Sequence, residues 1–404
     1  MSASFAFPVV DNCLQVGGIS LTRLAERVGH TPFYVYDRRL IEARVAALRA
    51  TLPAGIRLHY AIKANPMPDL VNHLAGLVDG FDIASGGEMV VALASAMAPE
   101  NVSFAGPGKS EEELRRAVAA GVVVSVESAR ELDVLSRLAR ESGRSPPIML
   151  RINPDFELKT AGMKMGGGAK PFGVDAEQAP ELLARVAASP LDFRGLHIYA
   201  GSQNLRAEAI AEALEQTLDL ARRLTGQAPG PIRMLNLGGG FGIPYFAGDT
   251  PLDLAAVGAR LAELLPAARR DFPRAEFILE LGRYLVGEAG LYVCRVIDRK
   301  VSRGQLFLVT DGGLHHHLAA SGNLGQVLRK NFPVLVGNRV VADVGEVATV
   351  VGPLCTPLDI LADRAPLGHA RIGDLIAVAQ SGAYGLTASP TRFLGHPEAA
   401  EVLV

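Results

Sequence analysis

The 404-residue sequence has no tryptophan, only three cysteines, no run of basic residues and no long apolar stretch. Charges break every apolar run well before the roughly 18 residues a membrane-spanning helix requires, so no membrane span is expected. The opening MSASFAFPVVDN lacks the basic start and long apolar stretch of a secretion signal. Lys+Arg number 40 against 42 Asp+Glu, a net charge of −2. Such a balance gives no electrostatic reason to expect nucleic acid or a membrane surface as partner. Cys13, Cys294 and Cys355 are odd in number, far apart and without metal-ligand spacing. A reducing cytoplasm is the simplest reading, with no metal site. What the chain does have is 49% hydrophobic and 20% charged residues, with 43 Gly and 25 Pro spread along it. This is globular composition, long enough for one domain of about 250 residues and a smaller one.

From about residue 55 to 285, short apolar β-branched runs alternate with amphipathic stretches, the pattern of strand-helix units around a parallel sheet. Eight strand candidates stand out: RLHYAIK from Arg57, FDIAS from Phe81, VSFAG from Val102, VVVSVES from Val122, IMLRINP from Ile148, RGLHIYAGS from Arg194, RMLNLGGG from Arg233 and FILELGR from Phe277. The intervening SEEELRRAVAA opens with a Ser and Glu residues suited to the positive end of a helix. Eight repeats suggest an α/β fold, a (β/α)8 TIM-like barrel, although an open doubly wound sheet produces the same alternation. After Gly287 the texture becomes strand-rich with turn residues, a separate β domain. The expected division is an N-terminal strand segment (1–30) joining the β domain, a barrel over 31–286 and a C-terminal β domain over 287–404.

Barrel chemistry collects where strands end, so the polar residue closing each strand is the one to examine. The first candidate strand ends in Lys63, an amine at the top of an apolar strand. Desolvation there would make it a nucleophile toward aldehydes, while the alternative is a lysine whose amine reaches out to water. The seventh ends in Gly238, Gly239 and Gly240, either an anion-binding backbone turn or a mere tight turn. The eighth ends in Glu280 and Arg283, the latter able to grip a phosphate. With Ser202 after the sixth strand, the phosphate reading gains weight, because loops seven and eight are this fold's usual phosphate seat.

Together these motifs resemble the fold-type III pyridoxal-phosphate decarboxylases, the family of diaminopimelate, ornithine and arginine decarboxylases. YAIKAN, FDIASGGE, HIYAGSQ, GGGFG, ELGRY, the Cys355 segment and GAYG occur in the family's order over nearly the whole chain. The resemblance implies an alanine-racemase-like barrel with a C-terminal β domain, pyridoxal 5'-phosphate as cofactor and a homodimer with shared active sites. Lys63 would carry the cofactor aldehyde covalently, and Ser202, Gly238, Gly239, Gly240, Arg283 and Tyr384 would surround its phosphate. Glu280 would face the pyridine nitrogen, Arg151 the ring hydroxyl, and Asp82 and Glu88 would form the acidic pair near the lysine. Tyr199 stands where relatives place the histidine that stacks on the ring. Cys355 matches the cysteine that a neighbouring subunit contributes as proton donor after CO2 loss. A carboxylate at position 280 keeps the ring nitrogen protonated and the ring ready to accept an electron pair, whereas racemases of this fold carry an arginine there. Decarboxylation is therefore favoured; a racemase, or a non-catalytic homologue acting as a pyridoxal-phosphate-binding regulator, is the alternative.

Two departures concern the far end of the substrate. Thr356 replaces the acid that binds a distal ammonium, and the Arg-Pro motif that holds the distal carboxylate of diaminopimelate is absent from Asp311–Asn323, which instead contains His315, His316 and His317. Consecutive histidines point in different directions, so one or two of them are expected to line the pocket, and they do not read as a metal cluster. His315, Thr356 and Asp359 are the expected substrate contacts. The expected substrate is an α-amino acid or derivative whose far end is neither a free ammonium nor the diaminopimelate terminus. The departures resemble a subgroup associated with exopolysaccharide and exosortase systems, and enzymes that decarboxylate a glutamyl group tethered to an acyl carrier protein. The expected partner is thus a small amino acid or a carrier-bound aminoacyl group.

Overall fold

Runs of β-branched residues flanked by glycine and capped helices produce eight parallel strands: β1 (Ile56–Ala61), β2 (Gly80–Ile83), β3 (Val102–Phe104), β4 (Val123–Val126), β5 (Pro147–Asn153), β6 (Asp192–Ile198), β7 (Met234–Gly239) and β8 (Glu276–Leu281). The computed structural model describes residues 6–326, 328–342 and 344–404. Each strand pairs with the next; β8 returns to β1, with Glu280 opposite His59, and β4 pairs with β5, so the sheet closes on itself. The fold is a closed barrel and not an open sheet. All eight strand candidates fall on these strands. The helix Glu111–Ala120 begins with the expected Ser110 cap, in a reciprocal capping box with Glu113, and ends at Gly121 with φ +80°. Ser128 caps the next helix, Ala129–Ser142, its side chain accepting from the Glu131 N–H.

The barrel interior is layered because side chains on a strand repeat every two residues. Val123, Met149, Met234 and Ile278 form a buried apolar cluster. Two residues further along the same strands lie Ser125, Arg151, Asn236 and Glu280, all buried and all polar. An apolar floor therefore supports a polar layer at the strand ends.

Contacts divide the chain into two units. One comprises Arg44–Ile243 and Pro251–Gly282; the other comprises Arg283–Val404, Pro244–Thr250 and the residues preceding Arg44. The second unit is built on β9 (Gly290–Ser302), β10 (Gln305–Thr310), β11 (Val334–Val336), β12 (Gly345–Val351), β13 (Ile360–Gly368) and β14 (Leu375–Val378), in the order β11-β14-β9-β10-β12-β13. Strand Phe33–Tyr36 also joins this sheet, antiparallel to Gly290–Val293 and parallel to Ala400–Leu403. For that reason the change of unit falls at Arg44 and at Arg283, not at residues 31 and 287. Leu14, Val16, Leu21 and Leu24 pack in one cluster with Phe33, Val35, Leu291, Val293 and Leu375.

Truncating the apolar floor leaves a cavity that the closed barrel cannot collapse. Ile278→Ala is expected to lower unfolding stability by about 2–5 kcal/mol, measured from the midpoint of chemical denaturation.

Candidate active site

Lys63 lies in the 3-10 turn Ile62–Ala64 immediately after β1. Its Nζ is 3.8 Å from Oε1 of Glu280, and the two side chains are 42% and 6% exposed. Of the two readings the sequence left open, the structure places the amine at the water boundary, with a buried carboxylate as its counter-charge. Nζ also lies 5.8 Å from the centroid of the Tyr199 ring.

The other oxygen of Glu280 is served from the polar layer. Asn236 Nδ2 donates to Oε2 at 3.5 Å, and His197 Nε2 lies 3.3 Å from it in a close contact without hydrogen-bond alignment. His197 is fixed from its far side, Nδ1 lying 3.1 Å from Ser125 Oγ. Burial alone would push this carboxyl up, but contact with His197 and the charges of Lys63, His197 and Arg151 outweigh it and hold the carboxyl down at about 2. Glu280 is thus an anion at neutral pH. His197 was not singled out in the sequence, because only the strand register shows that it meets Glu280.

The triple glycine follows from crowding between strands. A Cβ at Gly239 would fall 2.2 Å from the carbonyl oxygen of Glu280, and one at Gly240 2.2 Å from that of Gly201. Gly238 and Gly240 also have φ of +73° and +77°. The Gly238 N–H donates to Asn236 Oδ1 at 2.8 Å. Ser202, half-buried, pairs with Met163 in a short antiparallel bridge. The fully buried Asn204, a second residue the sequence reading missed, donates from its N–H to the Gly240 carbonyl at 2.9 Å and from Nδ2 to the Lys159 carbonyl at 2.7 Å. It ties the glycine turn to the segment that follows β5.

Other expected site residues are engaged with the protein. Asp82 accepts from Ser103 Oγ and lies 3.5 Å from His59 Nδ1. Glu88 accepts from the Ala84 N–H at 2.7 Å; burial pushes its carboxyl up against that bond and the charge of Lys63. Arg151 Nη1 donates to Glu127 Oε1 at 2.8 Å, and Glu127 also accepts from the backbone of Gly106 and Gly173. Buried Lys109 lies 3.1 Å from Glu131 and 3.9 Å from Glu127. Burial opposes the charge on Glu127, yet Arg151 and Lys109 keep it below its ordinary range.

In the other unit, Arg283 lies between two tyrosines. Its guanidinium carbon is 4.7 Å from the Tyr384 ring centroid and 5.6 Å from that of Tyr245, and Nη1 donates to the Tyr245 hydroxyl at 3.2 Å. Tyr384 has φ +54°, the left-handed region that an L-residue rarely adopts. Tyr245 is a third residue the sequence did not reveal, since an aromatic in a loop has no periodic signal. Cys355 is exposed at its turn, and Thr356 Oγ1 accepts from the Leu358 N–H at 3.3 Å. Asp359, expected to contact substrate, directs both carboxylate oxygens to backbone N–H groups. Of the histidines, His316 Nε2 lies 2.8 Å from the Pro397 carbonyl and His317 Nε2 2.9 Å from Ser381 Oγ. His315 is fully buried with no hydrogen bond on either nitrogen. Burial, then the neighbouring His316 and His396, push its imidazole down to about 3, so it is neutral.

The electrostatics of Glu280 carry a measurable sign. Its folded value lies below the ordinary carboxyl value of 4.5, so the stability it contributes is complete above about pH 4.5 and is lost as pH falls toward 2. His197→Leu removes a group that favours the anion. The variant is expected to be less stable by about 1–3 kcal/mol at pH 7, with the deficit shrinking below pH 4.5, in denaturant titrations run across that range.

Comparison with known proteins agrees with this arrangement. Residues 38–287 match the family model of the pyridoxal-dependent decarboxylase pyridoxal-binding domain. The chain is 38% identical to an L-glutamyl-[BtrI acyl-carrier protein] decarboxylase of Niallia circulans, over 95% of this chain and 90% of that protein. It is 36% identical to the diaminopimelate decarboxylase of Aquifex aeolicus, over 98% and 91%. The crystal structure of diaminopimelate decarboxylase from M. jannaschii with L-lysine superposes with a TM-score of 0.89 at 25% identity, covering 98% of this chain and 92% of that one. With Lys63 and Glu280 paired at the mouth of a closed barrel, and with these likenesses spanning the whole chain, the protein belongs to the pyridoxal-dependent decarboxylases and is a carboxy-lyase acting on an amino acid or amino-acid derivative.

Proposed function

We propose that this chain decarboxylates a carrier-bound aminoacyl group, with a glutamyl thioester of an acyl carrier protein as the substrate class, in a homodimer with shared active sites in the cytoplasm. The observation that carries the reading is Thr356, a neutral hydroxyl already accepting from the Leu358 N–H where amine-type relatives have an acid. The Asp311–Asn323 segment likewise contains no Lys or Arg to meet a distal carboxylate. A substrate whose far end is an uncharged thioester needs neither charge. The relative that acts on a carrier-bound glutamyl group, 38% identical along the chain, supports the same class.

The residues fit pyridoxal phosphate. The turn Gly238–Gly240 at the end of β7 admits no side chain and has only backbone to offer a ligand, and Lys63 presents an amine against a buried anion. Lys63 would hold the cofactor's aldehyde. Ser202, Gly238, Gly239 and Gly240 would hold the phosphate, a role also proposed for Arg283 and Tyr384. When bound, the cofactor supplies a pyridine ring that takes up the electron pair released as CO2 leaves. Glu280, kept ionised by His197, Lys63 and Arg151, would hold a proton on the ring nitrogen and so keep that ring electron-accepting. Tyr199 offers an aromatic face for stacking. Arg151, fixed by Glu127, would hydrogen-bond the ring hydroxyl, and Asp82 and Glu88 set the charge around Lys63. Cys355, contributed by the partner subunit, returns a proton to the α-carbon after CO2 has left. Thr356 would line the far end of the substrate; His315, its side chain fully buried, would sit behind that lining and not in contact.

CO2 release from a glutamyl carrier-protein thioester is expected to exceed release from free diaminopimelate, lysine, ornithine, arginine or glutamate by about 10²-fold or more in kcat/KM, as a missing polar contact dictates. Efficient turnover of any free amino acid in that panel would overturn the carrier reading. Cys355→Ala alone is expected to lose about 10²–10⁴-fold in rate. Mixing Lys63→Ala chains with Cys355→Ala chains should restore part of the activity, because one composite site per hybrid dimer is intact; inactive hybrids, confirmed as dimers, would refute shared sites.

A further inference from the structure

The turn that carries Cys355 is joined to the histidine-containing turn by one buried carboxylate. Asp359 Oδ1 accepts from the Leu314 N–H at 2.6 Å, and Oδ2 accepts from the Leu354 N–H at 2.8 Å. The residue is 2% exposed. Both flanking glycines are required by its presence: a Cβ at Gly313 would fall 2.1 Å from Oδ1, and one at Gly352 would fall 2.4 Å from Oδ2. The backbone closes the same turn, since the Asp359 carbonyl accepts from the Gly352 N–H at 3.1 Å and the Asp359 N–H donates to the Thr356 carbonyl at 3.3 Å. Asn323 adds a second tie, its Nδ2 reaching Ser321 Oγ at 2.7 Å and the Leu358 carbonyl at 3.4 Å.

We propose that Asp359 is a positioning residue, whose carboxylate clamps the Gly352–Asp359 turn onto the Gly313–His317 turn and thereby fixes where the Cys355 thiol is presented. The inference rests on the proton-donor role proposed above for Cys355. A proton donor must lie within hydrogen-bond reach of its acceptor, and displacement by an ångström is enough to slow transfer severely. An exposed thiol at a turn has no side-chain packing to hold it, so the turn's backbone must do so. A carboxylate accepting two backbone N–H groups forms charge-assisted bonds and is acceptor-only. An amide at this position could accept one N–H, but its NH2 group would face the other donor. Asp359 is thereby withdrawn from contact with substrate, and its place in the site is taken by what it holds.

The test is Asp359→Asn in the holoenzyme, using whichever member of the substrate panel above releases CO2. The expected result is a kcat at least about tenfold lower with KM within about twofold, while coenzyme absorbance per subunit is retained. Amide hydrogen exchange should quicken in peptides covering Gly313–His317 and Gly352–Asp359 and stay unchanged in the barrel. Wild-type kcat in this variant, or a kcat loss with exchange unchanged in both turns, would overturn the proposal. Should Asp359→Asn fail to fold, Gly352→Ala presses on the same carboxylate with one methyl group and is expected to give the same split between kcat and KM; wild-type kcat there would overturn it equally. Cys355→Ala separates the two ideas: undiminished turnover in that variant refutes the proton-donor role, whereas faster exchange in Asp359→Asn still reports the clamp.

Discussion

Closure of the barrel between its last and first strands is the constraint from which the site follows. The register that sets Glu280 opposite His59 also sets the carboxylate within 3.8 Å of Lys63, four residues past that histidine. Side chains alternate along a strand, so a slip of one residue would turn Glu280 outward and bring Leu279 or Leu281 into its place. The ion pair therefore depends on a strand pairing that joins segments more than two hundred residues apart. Burying a carboxylate is costly, and the cost is offset by a set of neighbours, Lys63 on one oxygen with His197 and Asn236 on the other.

That offset depends on layering. The apolar floor of Val123, Met149, Met234 and Ile278 excludes water from below, and the polar layer above it supplies the donors that a buried anion needs. Around the rim the same solution recurs, where Lys109, Glu127, Glu131 and Arg151 exchange charge in a buried network. Within such a network each ion is tolerable only because the others are present, which makes the rim a rigid frame and not a set of independent side chains.

Much of this was legible before any coordinates. The eight strands show as apolar β-branched runs, and Lys63, Glu280, Arg283 and the glycine turn show because each interrupts or ends such a run with a chemically distinctive residue. The capped helix after Ser110 was readable for the same local reason. What was not legible depends on distant pairings. His197 carries no distinguishing mark in the sequence, and only the register sets it beside Glu280. Asn204 and Tyr245 sit in loops, where no periodicity marks them. Strand Phe33–Tyr36 looks like the start of a barrel, yet its hydrogen bonds go to Gly290–Val293 and Ala400–Leu403. Asp359 follows a cysteine motif and so invites a substrate role, and nothing local in the sequence shows that both of its carboxylate oxygens accept from backbone N–H groups.

The three glycines at the end of β7 have a bearing on how such a protein can diverge. Each meets a neighbouring carbonyl where its first side-chain carbon would sit, so that stretch admits almost no substitution and records nothing about what is being processed. Substitution is easier at a loop position whose added atoms meet open space, as at Gly108.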